Sequence, residues 1–271
     1  MTTQPLLQLV SVSKRYGGLQ ALDGISLTAD SGEVIALLGD NGAGKSTLMK
    51  VLAGAETADD GTISIRGVPR DIGSPRHAEQ LGIEMVYQDL ALVPTLDAAA
   101  NLHLGREPRR RGIAGRLGFI DHAEMRRETV EQMERLGVSR LSMRRTVTML
   151  SGGQRQAIAI ARAASRGSGA DSDRVLLLDE PTAALGVGQQ RRVQELITGL
   201  RRRGMLVIVI SHDLSACFEV ADRLIVLRQG RKIADVRTAS TTNAEVVAWI
   251  TGAEEGPEQT AQSRTDEEVS P

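Results

Sequence analysis

Three short stretches carry residue types that could act on phosphate. The first is Gly39-Asp40-Asn41-Gly42-Ala43-Gly44-Lys45-Ser46-Thr47, which fits the pattern G-x-x-x-x-G-K-[ST]. Glycines there let backbone N–H groups wrap closely around an anion, because a Cβ would clash or forbid the dihedrals. The positive end of a following helix adds to the attraction, and a triphosphate suits such a point. Lys45 would neutralise the β- and γ-phosphates, and the Ser46 hydroxyl would hold Mg²⁺. The second stretch is Asp179-Glu180, directly after the apolar run Val175–Leu178. An acid at the carboxyl end of a buried parallel strand lies where such sheets bind ligands. Asp179 would hold Mg²⁺ through a water, and Glu180 would polarise or deprotonate the attacking water. The third is Leu150-Ser151-Gly152-Gly153-Gln154. A Ser hydroxyl, Gly N–H groups and a helix start make a further anion site. One nucleotide does not need two such sites from the same chain.

The elements that must position these groups are legible in outline. Val34-Ile35-Ala36-Leu37-Leu38 reads as a buried strand feeding the first stretch, and a helix opens over Ser46–Leu52. Leu7–Val12, Ile25–Leu27 and Thr62–Arg66 read as short strands of an antiparallel sheet beside that core, and Ile83–Tyr87 as a strand within it. From Asp89 to about Arg166 the pattern turns helical. Asp121 and Glu124 predict a capping box, with Gly137 as the stop. Val175–Leu178 and Met205–Ile210 read as buried parallel strands. Between them Val193, Leu196, Ile197 and Leu200 form one apolar helix face, ended by Gly204. Arg228-Gln229-Gly230-Arg231 predicts a hairpin, and Thr242 with Glu245 caps a last helix to Ile250. Ser165–Asp173 reads as a surface loop, and the polar, acidic tail from Ala253 as disordered.

The composition excludes several classes. A net charge of -1 gives no case for nucleic acid or an anionic membrane as a bulk partner, and 2% aromatics leave few base-stacking platforms. The single Cys217 cannot form an internal disulfide, fits a reducing compartment and reads as a buried helix residue. Met1–Val10 lacks signal-peptide features, and no apolar run reaches membrane-span length. The expectation is a soluble cytoplasmic chain whose membrane role, if any, needs another chain. Arg109-Arg110-Arg111 reads either as a solvated loop or as a contact for lipid head groups or nucleic acid; runs this short favour the loop.

Leu150–Gln154, lying between the phosphate loop and the acidic strand, resembles the signature of the ATP-binding-cassette (ABC) ATPases. The resemblance covers about residues 5–250. It implies an α/β P-loop NTPase fold: a RecA-like parallel core sheet, an antiparallel β subdomain and an inserted helical subdomain at about 89–166. The cassette would span 5–252, with the acidic tail at 253–271. It implies ATP and Mg²⁺ as cofactors. It places Gln88 toward Mg²⁺ and the attacking water, and His212 on the γ-phosphate. It places Tyr16 where an aromatic stacks on adenine, although the residue alone reads equally well as a strand-end aromatic. Ser151, Gly152, Gly153 and Gln154 would bind the ATP of a second cassette, so two cassettes would close head to tail. After Glu180-Pro181-Thr182 the family's usual Ala-Leu-Asp ends here in Gly186, which leaves the coupling between two sites open.

That variant, with Met85–Leu92 and Ala99–Glu107, is similar to the ATPases of simple-sugar importers of the fructose, ribose or xylose type. The resemblance implies a multispanning membrane permease contacting residues 88–105, and indirectly a solute-binding protein. It implies peripheral attachment at the inner face of the membrane and no nucleic-acid partner. Other readings are another solute, export, or a soluble cassette ATPase acting on ribosomes or DNA.

Overall fold

The computed structural model describes residues 4–138, 145–166 and 170–258. In chain order it holds β1 (Leu7–Tyr16), β2 (Leu19–Ala29), β3 (Val34–Leu38), α1 (Lys45–Leu52), β4 (Asp60–Ile65) and β5 (Val68–Pro69). Next come α2 (Pro75–Gln80), β6 (Ile83–Val86), α3 (Ala98–Leu102), α4 (Ile113–Arg116), α5 (His122–Arg135) and α6 (Gly152–Ser165). The chain continues through β7 (Val175–Asp179), α7 (Val187–Arg202), β8 (Leu206–Ile210) and α8 (Leu214–Val220). It closes with β9 (Arg223–Arg228), β10 (Arg231–Arg237) and α9 (Asn243–Thr251).

Two sheets result. One is antiparallel, in the order β2-β1-β4-β5. The other runs β10-β9-β3-β8-β7-β6, parallel except for the β9–β10 hairpin. Every residue of β3 and β8 is buried. Such continuous apolar strands need a cover on both faces. Alternation along β3 shows the two covers. Val34, Ala36 and Leu38 join a core with Ile158, Val193 and Leu196 of α6 and α7. Ile35 and Leu37 join another with Leu48 and Met49 of α1 and the inward residues of β1 and β2. The helical face Val193, Leu196, Ile197, Leu200 is buried, as its spacing predicts. Among the described residues between β6 and β7 the regular elements are helical. Cys217 is buried on α8, and burial pushes its thiol up to about 12. Gln229 and Gly230 both take positive φ, the turn that suits a two-residue hairpin.

Four sequence expectations change. β1 and β2 are longer than the apolar runs Leu7–Val12 and Ile25–Leu27. Register shifts after Leu9 and Val12 let polar residues continue the pairing as far as Tyr16. The capping box at α5 is only half formed. Asp121 accepts from the N–H of Ala123 and Glu124, but its own N–H goes to the Pro108 carbonyl, and Glu124 turns to Arg127. The Ser165–Asp173 loop includes a short 3₁₀ turn at Asp171–Asp173, tied to the end of α7 by Arg203 donating to Asp171 at 2.9 Å; residues 167–169 lie outside the described residues. The tail does not leave the fold at Ala253. Gly256 packs against Ile233, and Glu258 pairs with Lys232 at 3.2 Å; residues 259–271 lie outside the described residues.

One buried acid predicts a pH effect. Glu84 points from β6 toward α6, and burial pushes its carboxyl up to about 7 against the opposing pull of Arg166, Arg162 and Arg174. Its Oε1 is buried without a partner. A raised native pKa means that the folded state holds the proton longer than the unfolded chain. Glu84 therefore stabilises least above about pH 7 and loses its contribution as pH rises from the ordinary carboxylate range. Glu84→Gln should match wild type near pH 5 and gain on the order of 2 kcal/mol near pH 8. Urea midpoints at the two pH values check it; an equal shift at both would remove titration as the cause.

Candidate functional site

The strand order decides what meets. β3, β8, β7 and β6 are neighbours, and all point the same way. Their carboxyl ends therefore bring Gly39, His212, Asp179-Glu180 and Gln88 to one edge.

At β3 the chain turns through residues 39–44 into α1. Gly44 is the N-cap with φ 105, and no side chain caps the helix. The first-turn N–H groups of Lys45, Ser46 and Thr47 are thus left for an anion. Gly39 lies at φ 145, where a Cβ would come within 2.2 Å of the Leu227 carbonyl. A Cβ on Gly44 would sit 2.7 Å from the Ala21 carbonyl. The loop is pressed between β2 and the end of β9, which is why these two positions need glycine. Gly230 adds a backbone bond to the Ala43 carbonyl at 3.1 Å. Asn41, Gly42 and Ser46 face solvent. Lys45 is buried, and its Nζ donates to the carbonyls of Gly39 at 2.8 Å and Asp40 at 2.9 Å. Burial lowers its pKa, while Asp40, Glu180 and Asp179 pull the other way. The ammonium thus lies in the field of both acids.

At β7, Asp179 is the last strand residue. Burial, and then the neighbouring Glu180 charge, raise its pKa. Glu180 takes φ 48, uncommon for a residue with a Cβ, and its N–H donates to the Ile210 carbonyl at 3.0 Å. His212, two residues beyond β8, places Nε2 3.0 Å from Glu180 Oε1. Across this contact a Glu180 carboxylate can only accept, so His212 Nε2–H would be the donor. Gln88 is exposed two residues past the end of β6.

Tyr16 closes the far side. It ends β1 with its ring exposed, and Lys14 Nζ lies 5.6 Å from the ring centre. Burial and the nearby Glu56 raise its pKa, while Lys14 and Thr47 of the phosphate loop pull it the other way. Tyr16 and Thr47 therefore share one surface.

Ser151–Gln154 form a separate turn. Ser151 Oγ accepts from the Gln154 N–H at 3.3 Å, and Gln154 Oε1 accepts from the Ser151 N–H at 3.0 Å. This is a complete capping box for α6. A Cβ on Gly152 would lie 2.8 Å from Leu185 Cδ2. The Gly153 N–H donates to Gln189 Oε1 at 3.1 Å. Among the described residues no hydrogen bond links this turn to the phosphate loop. Sequence reasoning missed Gln189, because nothing local announces a partner so distant in the chain. Gly186 is the N-cap of α7, in extended backbone with nothing within 4 Å of a built Cβ. The fold leaves room there for the family's usual Asp.

Comparison with known proteins gives the family. A family model described as "ABC transporter" matches residues 22–183. The chain is 44% identical to the fructose import ATP-binding protein FrcA of Rhizobium meliloti, over 96% of this chain and 98% of that one. It is 40% identical to the xylose/arabinose import ATP-binding protein XylG of Sulfolobus acidocaldarius, over 91% of this chain and 94% of that one. The ribose import ATP-binding protein RbsA of Yersinia pestis is 41% identical over 93% of this chain, but the match spans only 47% of that longer protein. Among solved structures, the ADP conformation of MJ1267, an ATP-binding cassette of an ABC transporter, superposes with a TM-score of 0.75 at 25% identity. That match covers 92% of this chain and 96% of the other. A P-loop core sheet, an acid pair at a strand end and a separate glycine-rich helix cap thus meet in a chain that belongs to the ABC transporter family, as one of its ATPases.

Proposed function

We propose that this chain powers import of a simple sugar through a separate membrane permease, as one of two cassettes that share their ATP. The cargo rests on the relatives named for fructose and xylose/arabinose import, which match this chain along almost their whole length. Among the described residues no helix is long and apolar enough to cross a membrane; in this reading a partner chain would supply the pathway for the sugar. That partner would rest on residues 88–105 at the inner face of the membrane, and a solute-binding protein would deliver the sugar to it.

One observation carries the hydrolytic reading: the 3.0 Å contact of His212 with Glu180, beside the acid Asp179 and the buried Lys45. ATP would lie with its phosphates on the N–H groups of Gly39–Thr47 and its adenine on Tyr16. Lys45 would hold the β- and γ-phosphates by charge. Asp179 would take a divalent cation: burial and the neighbouring Glu180 charge raise its pKa against the opposing pull of Lys45, His212 and Lys50. Among the described residues no group of three His, Cys, Asp or Glu side chains is gathered that could hold a metal on its own. That suits Mg²⁺, which takes few protein ligands and relies on phosphate oxygens and water. Ser46, Asp179 and Gln88 would hold it, and it would neutralise phosphate charge. His212 fixes one oxygen of Glu180, leaving the other to orient the attacking water and take its proton.

Ser151 uses Oγ as an acceptor within its cap, so its O–H remains free to donate to the γ-phosphate of a second cassette. The Gly153 N–H must leave Gln189 to do the same. Gln189→Ala should therefore lower the ATP concentration for half-maximal turnover by about threefold to tenfold, the worth of one competing hydrogen bond. ATP titrations of steady-state hydrolysis check this; an unchanged or raised half-saturation would make Gln189 a brace rather than a competitor. Gly186 places no carboxylate between the two sites.

The transport reading is tested by affinity purification of the tagged chain from its own cells, with uptake of labelled fructose, ribose and xylose in a strain lacking it. The expected result is a multispanning membrane protein as partner and lost uptake of one sugar. Recovery with ribosomes, no membrane partner and normal uptake would overturn it.

A further inference from the structure

We infer that residues 108–120 form a knuckle that rests on an anionic membrane surface. The segment holds four arginines, Arg109, Arg110, Arg111 and Arg116, and no acid. All four are exposed, and among the described residues none is held in an ion pair. Beside them stand Ile113, Leu117 and Phe119, 78%, 72% and 57% exposed. Three large apolar side chains within seven residues, bared to this degree, differ from scattered surface leucines.

The knuckle is built rather than frayed. Its base is closed by the Asp121 N–H donating to Pro108 at 2.7 Å and by the Arg110 N–H donating to Phe119 at 2.9 Å. The Arg110 carbonyl lies so close to Gly115 that no Cβ would fit there. Ile113 and Leu117, four residues apart across the α4 turn, share one side. Gly118 at φ 87 then swings the chain so that the Phe119 N–H bonds the Ala114 carbonyl. The flanking acids are engaged elsewhere: Glu107 accepts from the Gly105 N–H, and Asp121 caps α5. The fold thus presents exposed apolar side chains and exposed guanidinium groups on one short segment.

That chemistry matches the boundary of an anionic bilayer. Apolar side chains can enter the head-group layer while arginines meet lipid phosphates. A nucleic-acid backbone would satisfy the arginines but leave Ile113 and Leu117 without a partner. The position agrees, because the knuckle follows α3 directly and continues the segment 88–105. This last point alone rests on the transport reading; the surface chemistry does not.

The test uses the purified full chain, without nucleotide or permease, in flotation with vesicles. Phosphatidylcholine vesicles containing phosphatidylglycerol are compared with pure phosphatidylcholine vesicles. Wild type should bind the mixed vesicles, bind pure phosphatidylcholine at least tenfold more weakly, and release as salt rises. Arg109→Glu, Arg110→Glu and Arg111→Glu together should lower partitioning by at least about a hundredfold, at about fivefold for each positive charge lost. Ile113→Ser with Leu117→Ser should also lower it, without altering the salt dependence. ATP hydrolysis by both variants in solution should stay at the wild-type rate. Wild type that ignores mixed vesicles, or variants that bind them as wild type does, would overturn the inference. So would arginine-dependent binding to a mixed-sequence DNA duplex without vesicle binding. Vesicle binding by a chain that fails the uptake experiment would remove the transport reading and leave this surface standing.

Discussion

Glu180→Gln is expected to lower ATP turnover by at least about a hundredfold while leaving ATP bound. The amide is nearly isosteric, so the backbone at φ 48 and the bond to the Ile210 carbonyl have no reason to change. The amide oxygen can still accept from His212. What is lost is the capacity to take a proton from water. Removing the charge also relieves its repulsion of Asp179, so affinity for the highly negative nucleotide should hold or rise. Nucleotide binding followed by fluorescence, beside single-turnover hydrolysis, separates the two effects. Wild-type turnover in this variant would remove Glu180 from the role of base.

Lys45→Ala is the second large effect, and it falls on binding. The ammonium is buried at the loop mouth at some cost, since burial lowers its pKa. Its charge-assisted hydrogen bonds to phosphate oxygens would be among the strongest in the site. Losing them should weaken ATP binding by about a hundredfold or more. The fold should survive. Gly39 and Gly44 keep their tight packing against Leu227 and Ala21, and α1 gains a good helix former. Circular dichroism melting within a few degrees of wild type would show that binding, not folding, was lost. Unchanged nucleotide affinity would count against the phosphate-loop assignment.

The parts of the site that are contiguous in the chain were legible from residue order. Gly39–Thr47 needs a strand before it and a helix after it, and local pattern supplies both. Asp179-Glu180 needed only an apolar run ending in two acids. What residue order could not show was geometry between distant segments. The Glu180–His212 contact depends on β7 and β8 being neighbours. Gln189 reaches Gly153 only because α6 packs on α7. β1 runs past the apolar residues Leu7–Val12 because bulges let polar residues stay in the sheet, and it reaches Tyr16, which residue type alone already suits to a strand end. The capping box at α5 looked complete by residue type, yet the Pro108 carbonyl had already taken the Asp121 N–H. The cluster Ile113, Leu117, Phe119 has no periodicity to mark it, because Gly118 breaks the helix between its members.

In the proposed assembly each ATP would be completed by Ser151–Gln154 of a second cassette. Light scattering on purified Glu180→Gln tests it directly, with and without Ser151→Arg in the same chain. With ATP, Glu180→Gln should double in mass and return to the monomer when ATP is removed. Adding Ser151→Arg should keep ATP bound and leave the protein monomeric. A chain saturated with ATP that stays monomeric, or a dimer indifferent to Ser151→Arg, would contradict the shared site.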